Sequence, residues 1–153
     1  MVVRNLKTDP GSEPFLKVLR PLAETYFAFL RISDRRIRSC GLTPPQYDVI
    51  VTLGDTGGLT CKELSEKTLV TKGTLTGVMD RLEAKGLIER VAFTDDRRCT
   101  IIRLTLKGER LFRKVFPAQI LFLKPYFERA IDSDQMRALR EMLLRLKESF
   151  ERP

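Results

Sequence analysis

The chain has 153 residues, the size of one typical domain or of one domain with added dimerisation helices. It contains 28 Lys and Arg against 20 Asp and Glu, which gives a formal net charge of +8, and it contains no histidine. The charge favours a polyanionic partner such as nucleic acid or an acidic membrane, and the absence of histidine, the commonest general base and zinc ligand, disfavours an enzyme.

The cysteines and the apolar runs restrict the class of protein further. Cys40, Cys61 and Cys99 are far apart and lack Cys-x-x-Cys spacing, so the sequence indicates neither a disulfide framework nor a structural zinc site. No apolar run approaches the roughly 18 residues that span a membrane, and the amino terminus lacks the apolar core of a signal peptide. We expect a cytoplasmic protein without a membrane contact, a cofactor or a metal.

The first predicted helix begins near Ser12, a candidate N-cap, and ends near Gly41. Pro21 lies inside this segment and has no N–H to donate, so we expect a kink or a late helix start there. The apolar residues of the segment recur at steps of three and four and form one stripe, which consists of Phe15, Leu19, Leu22, Tyr26, Phe29 and Leu30.

Capping boxes mark the starts of the next two helices. Thr43 and Gln46 predict the second helix, and Thr60 and Glu63 predict a short third helix over residues 61–67. The run GDTGG between these helices is typical of a turn.

The stretch TKGTLTG, residues 71–77, opens the fourth helix, with Thr71 as its predicted N-cap and Gly86 at its end. At about 100° per residue, Gly73 and Gly77 fall opposite the apolar residues of the helix, which are Leu75, Val78, Met79 and Leu82. Each glycine costs a helix interior about 1 kcal/mol relative to alanine. An outward glycine lets a helix backbone approach another surface closely, and a helix start favours a nearby phosphate.

A charged hairpin follows the fourth helix. Segments 87–93 and 100–106 predict two strands, and the turn between them carries Asp96, Arg97 and Arg98. Two capped helices followed by a basic hairpin is the order of a winged helix-turn-helix, in which the second of these helices enters the DNA major groove. The arginines would then reach the minor groove, with Asp96 as a counterion that orients one guanidinium. The candidate DNA-contacting residues of the fourth helix are Thr71, Lys72, Gly73, Thr74, Thr76, Gly77 and Arg81. For Arg81 a structural ion pair is an equal alternative.

Two further helices complete the chain. Thr105 predicts the cap of a long fifth helix that Pro117 and Pro125 should bend or interrupt, and Ser133 predicts the cap of the last helix. The last helix repeats its apolar residues in near-heptad steps. These residues, together with phenylalanines and a leucine of the other long helices, exceed what one small winged domain can cover, so we predict a dimer in preference to an intrachain core. The candidate dimer residues are Phe15, Leu19, Phe116, Leu139, Leu143, Leu146 and Phe150, and Phe112 adds to the same excess.

Residues 42–108 resemble the MarR (multiple antibiotic resistance regulator) family of bacterial repressors. Four motifs carry the resemblance: LTPPQYDVI, TCKELSEKTLVTKGTLTGVMDRLEAKGLIER, DDRRCTIIRLT and LTLKG. It implies a mainly α (α+β) fold, with a winged helix-turn-helix and a two-stranded wing flanked by dimerisation helices. It also implies a homodimer whose first, fifth and sixth helices interlock, and two winged domains on a palindromic double-stranded DNA operator. A small-molecule or oxidant signal often weakens binding in this family.

The resemblance also assigns regions and residues. Residues 1–42 form the N-terminal dimerisation helix, 43–106 the DNA-binding domain and 107–153 the C-terminal dimerisation helices. The family's wing pattern Asp-x-Arg falls on Asp96 and Arg98. Many relatives carry a long polar residue, often arginine, at the position of Gly77, so we expect base contacts to shift toward Lys72, Thr74, Thr76 and the backbone.

Two alternatives stay open beside a DNA-binding repressor. One is an enzyme, although the sequence has no histidine, no paired carboxylates, no phosphate loop and no metal motif. The other is a ligand-binding protein of the same fold. A ligand crevice between the dimer helices and the winged domain would be lined by Tyr26, Tyr47, Ile50 and Phe112, although core packing also explains each of them. A ligand-binding or redox-sensing dimer of the same fold with weak DNA specificity is therefore the second hypothesis. No cysteine lies at the start of the first helix, where some family members sense peroxides.

Overall fold

The computed structural model describes residues 10–92 and 100–152. Its described residues are mainly helical, with one small antiparallel sheet in which the strand of residues 100–104 lies between those of residues 59–60 and 88–92. The winged helix-turn-helix fold and its predicted hairpin are thus confirmed, and a short strand from before the third helix joins the hairpin. The elements are, in chain order, α1 Leu16–Ser39, α2 Pro44–Leu53, β1 Leu59–Thr60, α3 Cys61–Lys67, α4 Lys72–Ala84, β2 Ile88–Ala92, β3 Thr100–Leu104, α5 Leu106–Glu128 and α6 Ser133–Glu151.

Local capping chemistry sets the starts of α2 and α3. The Thr43 hydroxyl accepts the Gln46 N–H at 3.4 Å, and the Gln46 side chain accepts the Thr43 N–H at 3.1 Å. Thr60 and Glu63 repeat this exchange at 3.2 and 2.8 Å. Both predicted capping boxes are confirmed, because each depends only on residues three positions apart.

Two predicted helix starts are wrong. Ser12 lies in a separate 3-10 turn, and α1 begins only at Leu16. Ser133 is the first residue of α6, while the cap is Asp132, whose carboxylate accepts the Gln135 N–H at 2.8 Å. An aspartate caps as well as a serine does and adds a negative charge at the positive end of the helix dipole, so the preceding residue prevails.

The internal prolines do not interrupt their helices. Pro21 lies within α1, which has already begun at that point, and Pro117 and Pro125 lie within the continuous α5. Each proline removes one backbone hydrogen bond from a helix of more than 20 residues. Tertiary packing contributes most of the stability of such helices, so the loss of single bonds is tolerated.

The core lies between α2, α3, α4 and the sheet, and the long helices extend from it. Its most deeply buried residues are Val49, Ile50, Leu53, Leu64, Leu82, Ile88 and Ile102. Ile37 of α1 and Phe112 and Val115 of α5 belong to the same cluster. A buried hydrogen bond of 3.0 Å from Gln119 Nε2 to Ser33 Oγ joins α5 to α1. The long helices are therefore anchored directly to the winged unit.

The apolar stripe of α6 is uncovered in the single chain. Not one of the described residues of α6 is buried, and the stripe faces solvent along its length. The exposed apolar residues include all the predicted dimer residues, namely Phe15, Leu19, Phe116, Leu139, Leu143, Leu146 and Phe150. The intrachain-core alternative is thus wrong for this helix, although Phe112, predicted to add to the apolar excess, lies in the core. Among the described residues, we find no helix with the length and apolar character that crossing a membrane requires.

Candidate nucleic-acid interface

The outward face of α4 begins with the stretch TKGTLTG. Lys72, Thr74 and Thr76 are exposed, while the apolar side of the helix is buried in the core. A Cβ atom built at Gly73 or Gly77 meets no atom of the described residues within 4 Å, and neither glycine has a positive φ. Packing within the described part of the chain therefore gives no reason for either glycine. Both leave space beside the helix backbone that a second surface can occupy.

The first turn of α4 receives no cap from a side chain. Thr71 has the extended N-cap conformation, but its hydroxyl accepts no backbone N–H and donates instead to Thr74 Oγ1 at 3.1 Å. The predicted position of the cap is confirmed, and the predicted capping bond is wrong. A helix start whose N–H groups lack such an acceptor, at the positive end of the helix dipole, is a favourable place for a phosphate.

The turn that precedes α4 is tied to α2. The Leu69 N–H donates to Asp48 Oδ2 at 2.7 Å, across 21 residues of sequence. Burial raises the pKa of Asp48 above its ordinary value, and the hydrogen bond from Leu69 offsets part of that rise. Sequence analysis missed Asp48, because no local pattern reveals a bond between residues so far apart.

The wing is tied to α4 by one arginine. The Arg90 guanidinium of β2 donates to Asp80 Oδ1 at 2.7 Å and also bonds the Glu83 carboxylate, both on α4. The hydrogen bond to Asp80 is the main reason that the pKa of Arg90 is raised. The neighbouring Arg81 is exposed and has no ion pair with a described residue. The ion-pair alternative for Arg81 therefore has no support, and a phosphate contact remains a prediction.

Comparison with known proteins identifies the family to which this chain belongs. Residues 42–100 match the MarR family model. The uncharacterized HTH-type transcriptional regulator YsmB of Bacillus subtilis (strain 168) is 32% identical over 137 residues, which cover 89% of this chain and 90% of that protein. The chain belongs to the MarR family. It is therefore a helix-turn-helix transcriptional regulator by family.

Solved structures share the fold at lower identity. Sco3205, a MarR family transcriptional regulator from Streptomyces coelicolor solved in complex with DNA, is 23% identical with a TM-score of 0.80, over 90% of this chain and 88% of that chain. Bordetella bronchiseptica BpsR, whose DNA binding is regulated by 6-hydroxynicotinic acid, is 23% identical with a TM-score of 0.73, over 86% of this chain and 98% of that chain. Both similarities establish the MarR fold of this chain.

The tip of the MarR wing lies outside the described residues. Asp96, Arg97 and Arg98, together with Cys99, fall in this gap, so their roles remain predictions. The register of the strands places Ala92 opposite Thr100, directly before and after the gap. The Arg90 ion pairs with α4 hold this hairpin near its base.

The four residues predicted to line a MarR ligand crevice do not form one cavity. Ile50 and Phe112 belong to the core cluster, as the core-packing alternative expects, and a role of either in a crevice remains a prediction. Tyr47 is half-buried, and burial raises the pKa of its hydroxyl to about 12. Tyr26 is exposed and lines an apolar groove against Phe127 and the face of α6.

The crevice between α3 and α4 adds residues that sequence analysis missed. It is lined by Lys62 and Ser65 of α3 and by Lys72 and Thr76 of α4. The Ser65 Oγ atom is buried and has no hydrogen-bond partner among the described residues. Lys62 adds a second lysine to the crevice that contains Lys72, and Glu66 of α3 also lines it, so the crevice has two positive side chains and one negative side chain. Lys62 is a charged residue in the first turn of the predicted third helix, and that placement was the sequence signal that could have identified it.

Proposed function

We propose that this MarR-family protein is a homodimeric repressor that binds a palindromic operator through α4 and the wing, and that a small ligand releases it. The observation that carries the proposal is the outward face of α4. A Cβ atom at either of the two glycines there would meet no described atom, and exposed lysine and threonine side chains surround them. Such a face matches a large anionic surface that approaches the helix backbone closely.

The side chains on this face have separate proposed roles. Thr74 and Thr76 present hydroxyls for base edges and methyl groups for thymine, and Lys72 presents an ammonium for guanine or phosphate. Arg98 of the wing would insert in the minor groove. Because base contacts specify and phosphate contacts position, changes at Thr76 should alter sequence preference, whereas Arg98→Ala should weaken binding to every duplex.

The apolar groove beside Tyr26 supports the ligand part of the proposal. Its lining is almost wholly apolar and includes Phe127, with Arg140 and Lys147 as charged members. It also includes Leu139 and Leu143 of the predicted dimer face, so in the proposed dimer this groove lies at the contact between the two copies. An apolar pocket with a few charged groups suits a small amphipathic molecule. BpsR, a protein of the same fold, has DNA binding regulated by an aromatic acid. We propose that a molecule of this kind binds here and lowers operator affinity.

Selection from a random-sequence duplex pool at near-physiological salt tests the function. We expect enrichment of a palindromic site with half-sites about 10 base pairs apart, and affinity that falls steeply with salt because phosphate contacts release counterions. Thr76→Val is the informative variant, since it keeps the shape and removes the hydroxyl. No enrichment by a folded dimer would favour the second hypothesis, a ligand-binding dimer with weak DNA specificity.

A further inference from the structure

The segment that leaves α4 is held by the first turn of α5 through three consecutive carbonyl groups. Lys107 Nζ donates to the Lys85 carbonyl oxygen at 2.7 Å, and Thr105 Oγ1 donates to the Gly86 carbonyl oxygen at 2.6 Å. The Thr105 N–H donates to the Leu87 carbonyl oxygen at 3.1 Å. We call this contact between residues 85–87 and 105–108 the clasp.

The two segments of the clasp are in close contact. A Cβ atom built at Gly108 would lie 2.0 Å from the Leu87 carbonyl oxygen, far inside any normal contact. The α5 backbone therefore lies directly against Leu87, the residue before β2. Gly86 adopts a φ of +67°, which ends α4 and turns the chain into the clasp.

The Lys85 side chain also contacts the turn after α1 and the start of α2. Lys85 Nζ donates to the Gly41 carbonyl oxygen at 3.4 Å and to Gln46 Oε1 at 3.3 Å. The carboxyl end of α4 is thus tied to α1 and α2 by the Lys85 side chain and to α5 by its backbone. The amino end of α4, which carries the proposed DNA face, lies at the opposite end of the helix.

We propose that Lys107 is a positioning residue for DNA recognition, which acts through the Lys85 carbonyl and never touches DNA. This inference depends on the proposed function of α4. A 13-residue helix is about 20 Å long, so a tilt of about 10° at its carboxyl end moves its amino end by about 3 Å. Binding groups must be held within about 0.5 Å of their working geometry. The bond from Lys107 restricts that tilt and makes the angle of α4 follow α5.

The test compares Lys107→Met with Lys114→Met, which removes the same charge from the same helix. Lys114 is exposed, and its side chain forms no hydrogen bond or ion pair with the described residues. The probes are a duplex carrying the site that the unmodified protein enriches and a scrambled duplex of equal composition. We expect Lys107→Met to weaken binding to the site by up to about 10-fold and binding to the scrambled duplex less than about 2-fold, because α4 is then no longer held at the angle that base contacts need. The free energy of one exposed charge-assisted hydrogen bond sets the upper limit of the effect. Its salt dependence should match that of the unmodified protein, and Lys107→Arg should restore affinity.

Three results would overturn the inference. Equal losses on both duplexes, with a salt slope smaller by about 1, would make Lys107 a phosphate contact. Unchanged affinity for the site, with a lower thermal midpoint, would leave Lys107 a role in stability alone. Failure of the unmodified protein to enrich any site would contradict the proposed function itself, and is distinguished from the other two results because it needs no variant.

Discussion

At the scale of single residues, the glycines of this chain divide by what a methyl group would meet. Gly73 and Gly77 face open space, whereas Gly54 lies against the Phe112 ring and Gly108 against a backbone carbonyl. The second pair permits packing inside the molecule. A methyl group on either residue of the first pair would meet no described atom, and both glycines lower helix stability, which the proposed close approach of DNA to α4 would explain.

Gly77→Ala should therefore separate stability from binding. Alanine at this position meets no described atom, so the free energy of unfolding should rise by about 0.5–1 kcal/mol, as helix propensity predicts. The added methyl group should at the same time reduce affinity for the selected operator. Urea unfolding and operator titration measure the two effects. If Gly77→Ala and Gly77→Arg both leave operator affinity and preference unchanged, this face does not touch DNA.

Asp48 gives a second prediction at this scale, through pH. Burial raises the pKa of Asp48 in the folded state, so the folded protein binds a proton on the Asp48 carboxylate more tightly than the unfolded chain does. Ionisation therefore disfavours folding, and the contribution of Asp48 to stability falls as pH rises from about 3.9, its unfolded pKa, through the folded value. The substitution Asp48→Asn would keep an acceptor for the Leu69 N–H without a group that ionises.

The measurement is urea unfolding of the unmodified protein and of Asp48→Asn at about pH 3.5 and pH 7, on either side of the ordinary aspartate pKa. The stability of Asp48→Asn relative to the unmodified protein should increase with pH, whatever constant effect the substitution has. A relative stability that is flat or falls with pH would contradict the assigned cause of the shift. Asp132→Asn at the exposed α6 cap serves as the control for a carboxylate outside the core.

At the scale of elements, the contact between the start of α5 and the segment before β2 leaves the least space for an added methyl group. Gly108→Ala places a methyl group 2.0 Å from the Leu87 carbonyl oxygen, an atom that cannot move without displacing β2. We expect a loss of about 3 kcal/mol or more in the free energy of unfolding, at the upper end for overpacked sites. Gly77→Ala is the matched control, because the same chemical change in α4 should stabilise. A neutral Gly108→Ala would show that the α5 start can shift freely.

The elements also mark the limit of what the sequence could predict. The capping boxes at Thr43 and Thr60 and the outward placement of Gly77 follow from spacing within one helix, so they were predictable. The interactions that position the site join residues far apart in sequence: Leu69 with Asp48, Arg90 with Asp80, and Lys107 with Lys85. Periodicity carries no information on such pairs. The prediction of the α6 cap was wrong for a local reason, because Asp132 and Ser133 are adjacent and both are good capping residues.

At the scale of the whole molecule, the single chain has large apolar side chains exposed along one side. The start of α1 and the length of α6 expose two apolar grooves, lined by residues such as Phe15, Leu19, Leu143 and Phe150. Phe150 is 73% exposed. Contiguous apolar surface of this extent on a protein surface marks a site of association. A second copy, related by a two-fold axis, covers such faces on both chains at once.

We therefore expect a dimer of about 35 kDa, twice the chain mass of 17.6 kDa, in sedimentation at micromolar concentration. Its thermal midpoint should rise with protein concentration, since dissociation accompanies unfolding. Leu143→Asp with Leu146→Asp places charges in the grooves and should shift the mass toward the monomer. Leu106→Asp is the matched control, because Leu106 is 79% exposed but lies at the start of α5 beside the winged unit. A monomeric mass for the unmodified protein would contradict the two-fold arrangement on which a palindromic operator depends. The partner of the α6 face would then be a different protein.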